Sequence, residues 1–169
     1  MPSVLFVCTA NQYRSPFAAL SFSRTLVKNR PAGTWVVESA GTWAKKGVAP
    51  QPYMVEIARR LGLEGLEQHR SKQINLKMVD QFDLILVMEA GHKEALRSEF
   101  LHAQSRIFLL SEVAEGIAYN IDDPLTPDIN PQKIAKQIDQ LITKGFARII
   151  EAAEYFEQKR NALSNTAGD

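Results

Sequence analysis

The chain has 169 residues, 45% of them hydrophobic and 23% charged, and its 20 Lys and Arg against 19 Asp and Glu leave a net charge of +1. That is the length of about one domain, and the charge balance excludes a broadly polycationic nucleic-acid binder. A chain of this size buries roughly 70% of its unfolded surface and folds without disulfide staples or a structural metal. Its one cysteine, Cys8, excludes an intramolecular disulfide and a cysteine-built zinc site.

Met1-Pro2-Ser3 carries no basic leader, and the apolar run Val4–Val7 is far shorter than the ~20 residues of a membrane span. A cytoplasmic protein with no membrane association is expected, and a free thiol suits a reducing compartment. Val4–Val7 reads as a buried strand. A helix is expected over Pro16–Lys28, with Ser15 as its N-cap and Pro16 at its first position, where a missing N–H costs nothing. Trp35–Glu38 reads as a second strand, and Pro52–Leu61 as a helix that stops at Gly62. Asp83–Met88 is the strongest strand signal, followed by a helix over Ala90–Phe100 and a fourth strand over Arg106–Leu110. The proline-dense stretch Asp123–Pro131 reads as a loop within the domain. Pro131–Gln158 reads as a long helix capped by Asn130, with Gly145 weakening it at mid-length. Residues 1–160 are expected to form the domain, and the small, polar residues 161–169 a disordered tail.

Strands alternating with helices imply a three-layer α/β domain with a four-stranded parallel sheet, for which the simplest doubly wound order is 2-1-3-4. The loop leaving strand 1 then sits where the winding reverses, the place such folds bind ligands. That loop is Cys8-Thr9-Ala10-Asn11-Gln12-Tyr13-Arg14-Ser15. Successive N–H groups curling into a helix N-terminus make an anion nest, and Arg14 can close it with a planar fork that matches two phosphoryl oxygens. Cys8 at its floor faces the helix dipole and the guanidinium, both of which favour the thiolate, and the Ser15 hydroxyl can donate to the sulfur. The product is a nucleophile held in line behind a bound phosphoryl group.

Cys8, five residues, then Arg14-Ser15-Pro16 resembles the signature of the low-molecular-weight protein-tyrosine phosphatase family. Ser39-Ala40-Gly41-Thr42, His69–Gln73, Phe82–Glu89 and Asp123-Pro124 are similar to later segments of that family in order and spacing. The resemblance implies a phosphatase that hydrolyses phosphotyrosine, or a related aryl phosphate, through a phosphocysteine on Cys8. Asp123, in the Asp-Pro loop, would be general acid and then base, with Asp122 and Asp128 as fallback candidates. Asn11, Ser39 and His69 would support the loop. The partners implied are a phosphorylated protein or small phosphomonoester and inorganic phosphate as product. No nucleic acid, metal or other cofactor is implied. His92 and His102 carry no partner pattern and receive no role.

The departures from the family are local. Ala10 stands where the family has glycine, and if that position needs φ > 0 the loop is strained. Tyr13 replaces a second cysteine that can protect the nucleophile as a disulfide. Gln12 occupies a substrate-selecting position where apolar residues suit phosphotyrosine and threonine is associated with phosphoarginine. Leu125 follows Asp-Pro where an aromatic is typical, so the aromatic substrate wall would fall to Trp43, with Tyr119 or Tyr13 opposite. Two alternatives stay open: a non-catalytic phosphate- or phosphoprotein-binding module, and an arsenate reductase regenerated by an external thiol. The thioredoxin-coupled reductase cycle needs two more cysteines than the chain has.

Overall fold

The computed structural model describes residues 1–29 and 35–166. Four strands, β1 (Ser3–Cys8), β2 (Val36–Gly41), β3 (Leu84–Val87) and β4 (Ile107–Leu109), form one parallel sheet in the order β2-β1-β3-β4. Six α-helices are described: α1 (Arg14–Asn29), α2 (Pro52–Arg60), α3 (Leu76–Gln81), α4 (Ala90–Glu99), α5 (Leu110–Glu115) and α6 (Pro131–Thr166). The expected strand order and the three-layer arrangement are both found.

The layers follow from the two-residue period of a strand. Val4, Phe6 and Cys8 of β1 face a core shared with α1, α5 and α6, while Leu5 and Val7 face a second core with α3 and α4. All six residues of β1 are buried, as a continuous apolar run in a sheet covered on both faces requires. Each large side chain sealed there, such as Phe6, Phe17 or Phe22, contributes about 1.5–3 kcal/mol of hydrophobic stabilisation.

Three sequence expectations change. Helix α1 begins at Arg14, so Ser15 lies inside it and is not the N-cap; its hydroxyl is used within the loop instead. Helices α3 and α5 were not expected. Asn75 caps α3 by accepting from Met78 N at 3.0 Å, a local signal present in the sequence. Helix α6 continues well past Gln158 to Thr166, so the segment from residue 161 is helical to that point, and 167–169 lie outside the described residues. The physical reason is an anchor: Arg160 Nη2 reaches the fully buried Asp83 Oδ1 at 3.0 Å and Arg160 Nη1 donates to Gln81 O at 2.8 Å. Glu157 meets the N-terminal amine of Met1. Among the described residues no helix is long and apolar enough to cross a membrane.

Gly145 serves packing. A Cβ built there would stand 2.4 Å from Ala114 Cβ and 2.9 Å from Ala114 O, so the missing side chain lets α6 lie directly against α5. Gly145→Ala should therefore lose net stability, by up to about 2 kcal/mol, because overpacking outweighs the ~1 kcal/mol gain in helix propensity. Urea denaturation checks this, and a stabilised variant would show that α5 yields freely.

Candidate active site

Between Cys8 and Arg14 the chain makes a tight loop whose one left-handed residue is Asn11, at φ 54°. Asparagine tolerates that conformation. Ala10 has no positive φ, so the strain expected if that position required one does not arise. Asn11 is fully buried and its polar groups are occupied. Its Nδ2 donates to Ser15 Oγ and to Ser39 Oγ, each at 2.9 Å. Its Oδ1 accepts from Lys72 N at 2.8 Å, and its backbone carbonyl accepts from His69 Nε2 at 2.7 Å. Asn11, Ser39 and His69 thus meet around the loop.

Strand β2 and the turn after it seat the loop from the side. Thr42 N donates to Cys8 O at 2.8 Å and Trp43 N to Thr9 O at 3.0 Å. Gly41 makes this approach possible, since a Cβ there would lie 2.3 Å from Thr9 O and 3.0 Å from Asn11 N. Cys8, 3% exposed, holds its sulfur 3.0 Å from Ser15 Oγ, which is also 3.2 Å from Ala40 O. Ser15 has one proton for these two acceptors, so it can turn from the carbonyl to a thiolate.

Arg14 is 2% exposed and is held from three sides. Nη1 donates to Glu89 Oε1 and to Ile121 O, the latter at 2.8 Å. Nη2 donates to Asp123 Oδ2 at 3.0 Å and reaches Thr9 Oγ1 at 3.5 Å. Asp123 is positioned by backbone: Ile121 N donates to Met88 O at 2.8 Å, which lays the segment along the end of β3, and Leu125 N donates to Asp123 Oδ1 at 3.0 Å. Asp122 and Asp128 are exposed and neither bonds Arg14.

Two side chains here had received no role from the sequence. Glu89 ends the strand motif Phe82–Glu89, and its acidic type at that place is the signal the sequence offers. His92, on the first turn of α4, bonds Thr9 Oγ1 through Nε2 at 2.8 Å, and its buried Nδ1 has no hydrogen-bond partner among the described residues. Burial pushes the His92 imidazole below its ordinary range, with Arg14 acting in the same direction and Glu89 and Asp123 opposing. His69 is likewise pushed down by burial, with its bond to Asn11 opposing and Lys72 and Arg70 adding to the shift.

The aromatic wall is rearranged. Tyr13 is 4% exposed, stacks on Phe17 at 5.4 Å between ring centroids and donates its hydroxyl to Pro131 O, so it is packing and not a substrate wall. Burial raises its phenol pKa. Tyr119 turns its hydroxyl to Glu115 Oε2 at 2.9 Å. Trp43 stands free at the rim, 85% exposed, and Leu125 is 63% exposed. Among the described residues no three His, Cys, Asp or Glu side chains gather as a metal-ligand set.

Known proteins resemble this chain in sequence and fold. The model of the low molecular weight phosphotyrosine protein phosphatase family matches residues 3–156. A protein-arginine-phosphatase of Geobacillus stearothermophilus is 30% identical over 142 residues, 83% of this chain and 91% of its own. A low molecular weight phosphotyrosine protein phosphatase of Sus scrofa is 29% identical over 127 residues, 72% of this chain and 78% of its own. The solved arginine phosphatase from Geobacillus stearothermophilus superposes with a TM-score of 0.75 at 28% identity, over 96% of this chain and 97% of that one. A low molecular weight protein tyrosine phosphatase from T. tengcongensis gives a TM-score of 0.77 at 28% identity, over 89% and 99%. With a family model spanning nearly the whole described chain and a fold matched from end to end, the chain belongs to the low molecular weight phosphotyrosine protein phosphatase family, a family of phosphatase enzymes.

Proposed function

We propose that the protein hydrolyses phosphotyrosine in proteins, or a related aryl phosphate, in two steps through Cys8. The observation that carries this reading is the meeting, at one buried loop, of Cys8 Sγ with Ser15 Oγ at 3.0 Å and of Arg14 with Asp123 at 3.0 Å. In the first step the Cys8 thiolate attacks phosphorus, the S–P bond forms and the P–O bond to the phenol breaks. Asp123 gives its proton to the departing oxygen. In the second step Asp123 takes a proton from water, whose oxygen attacks phosphorus. The S–P bond breaks, releasing inorganic phosphate and restoring the thiolate, to which Ser15 donates. Arg14 and the loop N–H groups carry the charge on the equatorial oxygens throughout.

Arg14 enters this cycle already bound to Glu89 and Asp123. Phosphoryl oxygens replace Asp123 on Nη2 while Glu89 keeps Nη1 oriented. Substrate binding therefore displaces the Asp123 carboxylate from Arg14, and Asp123 takes up a proton from solvent before it serves as the acid. A second reading, phosphoarginine, is favoured by one comparison: the Geobacillus protein-arginine-phosphatase aligns over 83% of the chain against 72% for the Sus scrofa enzyme. Gln12 matches neither the apolar nor the threonine pattern. We place the protein in the cytoplasm on the strength of its free thiol.

Hydrolysis of p-nitrophenyl phosphate without added metal tests the chemistry. Cys8→Ser should lower kcat by roughly 10³-fold or more, and Asp123→Asn by roughly 10²–10⁴-fold. Activity that survives Cys8→Ser would sink the mechanism. A wild-type protein that binds vanadate and turns nothing over would be a binding module. Phosphotyrosine and phosphoarginine peptides assayed side by side separate the two substrates.

The loop's support also carries a pH dependence. The pKa values of His69 and His92 both lie below the ordinary 6.5 in the fold. Below about pH 6.5 the unfolded chain binds more protons than the folded one, so stability falls with pH until the folded imidazoles protonate. Urea midpoints should drop between about pH 7 and pH 5. The double variant H69Q/H92Q should flatten that slope; an unchanged slope would place the sensitivity in other groups.

A further inference from the structure

The chain is near neutral as a whole, at +1, but two of its segments are not. Residues 39–55 and 68–79 hold Lys45, Lys46, Arg70, Lys72 and Lys77 and no acidic residue, which leaves the remainder net acidic. The fold lays these segments side by side. Gly47 N donates to Ser71 O at 2.9 Å and Ser71 N to Val48 O at 3.0 Å. Between them runs a groove of about 510 Å³ whose charged lining residues are Lys46, Arg70 and Lys72, with no carboxylate. Lys72 reaches Glu38 at 2.7 Å in a half-exposed pair. Arg70 bonds only the backbone carbonyls of Glu67 and His69, and Lys45 and Lys46 have no carboxylate partner among the described residues.

This groove adjoins the candidate active site through a short chain of contacts. Gln73, on its wall, donates to Thr42 O at 3.0 Å and accepts from Ala44 N at 2.8 Å. It thereby clips both neighbours of the exposed Trp43, whose own N–H is bonded to Thr9 beside Cys8. The opposite side of the site is acidic, with Glu89, Asp122 and Asp123. Charge thus changes sign across the mouth, from carboxylates at the Asp-Pro loop to unneutralised cations beyond Trp43.

We propose that this groove docks an acidic stretch of the protein substrate that flanks the phosphorylated residue on one side. The proposal rests on the phosphatase reading and names the class of substrate it serves. Single exposed ion pairs contribute little, but Lys46 and Arg70, which have no carboxylate partner among the described residues, together with the half-exposed Lys72 raise the encounter rate of an acidic partner and make it salt-dependent. Trp43 stands where the peptide passes from the phosphate loop to the groove, and offers it an apolar face. An extended chain advances ~3.3 Å per residue, so a run of four acidic residues spans about 13 Å of groove. A small aryl phosphate does not reach it.

The test compares two phosphotyrosine peptides, one with four acidic residues on one flank and one with neutral residues there, alongside p-nitrophenyl phosphate. The acidic peptide should show about tenfold higher kcat/KM at low salt, shrinking toward parity at about 0.5 M NaCl. The double variant K46E/R70E should erase that preference and leave p-nitrophenyl phosphate hydrolysis within about twofold of wild type. The milder K46Q/R70Q should retain an intermediate preference, which guards against a folding defect in the charge-reversed protein. Equal kcat/KM for the two peptides, or equal loss on the peptides and on p-nitrophenyl phosphate, overturns the proposal. Binding of both peptides to Cys8→Ser, read by fluorescence anisotropy, needs no turnover. No hydrolysis with an intact acidic preference in that binding rejects the chemistry and keeps the groove; equal affinities reject the groove. Binding of RNA or of phosphatidylglycerol vesicles without any preference between the peptides assigns it to another polyanion and also overturns the proposal.

Discussion

A permanently charged guanidinium buried to 2% exposure is the constraint around which the site is arranged. Arginine does not escape its desolvation cost by losing a proton, so every donor must find an acceptor. The four terminal N–H groups of Arg14 are directed at Glu89 from the end of β3, Ile121 O and Asp123 from the segment laid along β3, and Thr9 from its own loop. These partners come from three separate stretches of chain, and the sheet order explains why they meet. Strands β1 and β3 are neighbours, with Val7 paired to Val87, so the ends of both strands open at one edge of the sheet. The buried guanidinium thereby gathers the proposed acid and the orienting carboxylate beside the loop that carries Cys8.

The loop itself is held by a different economy, that of a single amide. Asn11 supplies the left-handed turn with its backbone and bonds Ser15, Ser39 and Lys72 with its side chain. Because the left-handed angle falls on Asn11, alanine at position 10 is tolerated and the loop needs no glycine there. Gly41 does a related job from outside, where even one methyl group would collide with Thr9 O. The loop is therefore defined by what approaches it as much as by its own residues, and β2 is part of the site although it contributes no proposed catalytic group.

This division sets what the sequence could show. Cys8, Arg14 and Ser15 are close in the chain, and strand–loop–helix geometry alone brings them together, so their association was legible from spacing. The buried strand β1 and the order 2-1-3-4 were legible from the apolar run and from the alternation of strands with helices. Asp123, Ser39 and His69 were reachable only through resemblance, since their distances to the loop depend on tertiary packing. The sequence assigns Glu89 and His92 no role because a carboxylate or an imidazole at the start of a helix is ordinary until a buried guanidinium or a loop hydroxyl stands beside it. Ser15 misled in the opposite direction: its type suits a helix cap, but the helix starts one residue earlier and its hydroxyl is drawn inward to Cys8 and Ala40. Gly145 read as a weak point in a helix because nothing local reveals that α5 presses against it.

Tyr13 shows how one substitution changes the logic of the loop. In the family a cysteine at this position can close a disulfide with the nucleophile, and these 169 residues contain no second thiol. The tyrosine instead drives its ring against Phe17 and ties its hydroxyl to Pro131 O at the start of α6. A redox device is exchanged for a mechanical one, which couples the phosphate loop to the residue that ends the Asp-Pro loop. Two consequences follow from chemistry alone. Oxidised Cys8 has no internal partner, so its recovery depends on an external thiol, and without one it proceeds to irreversible acids. Its 3% exposure and the contacts that close over the loop then become the remaining protection, and they act by limiting access.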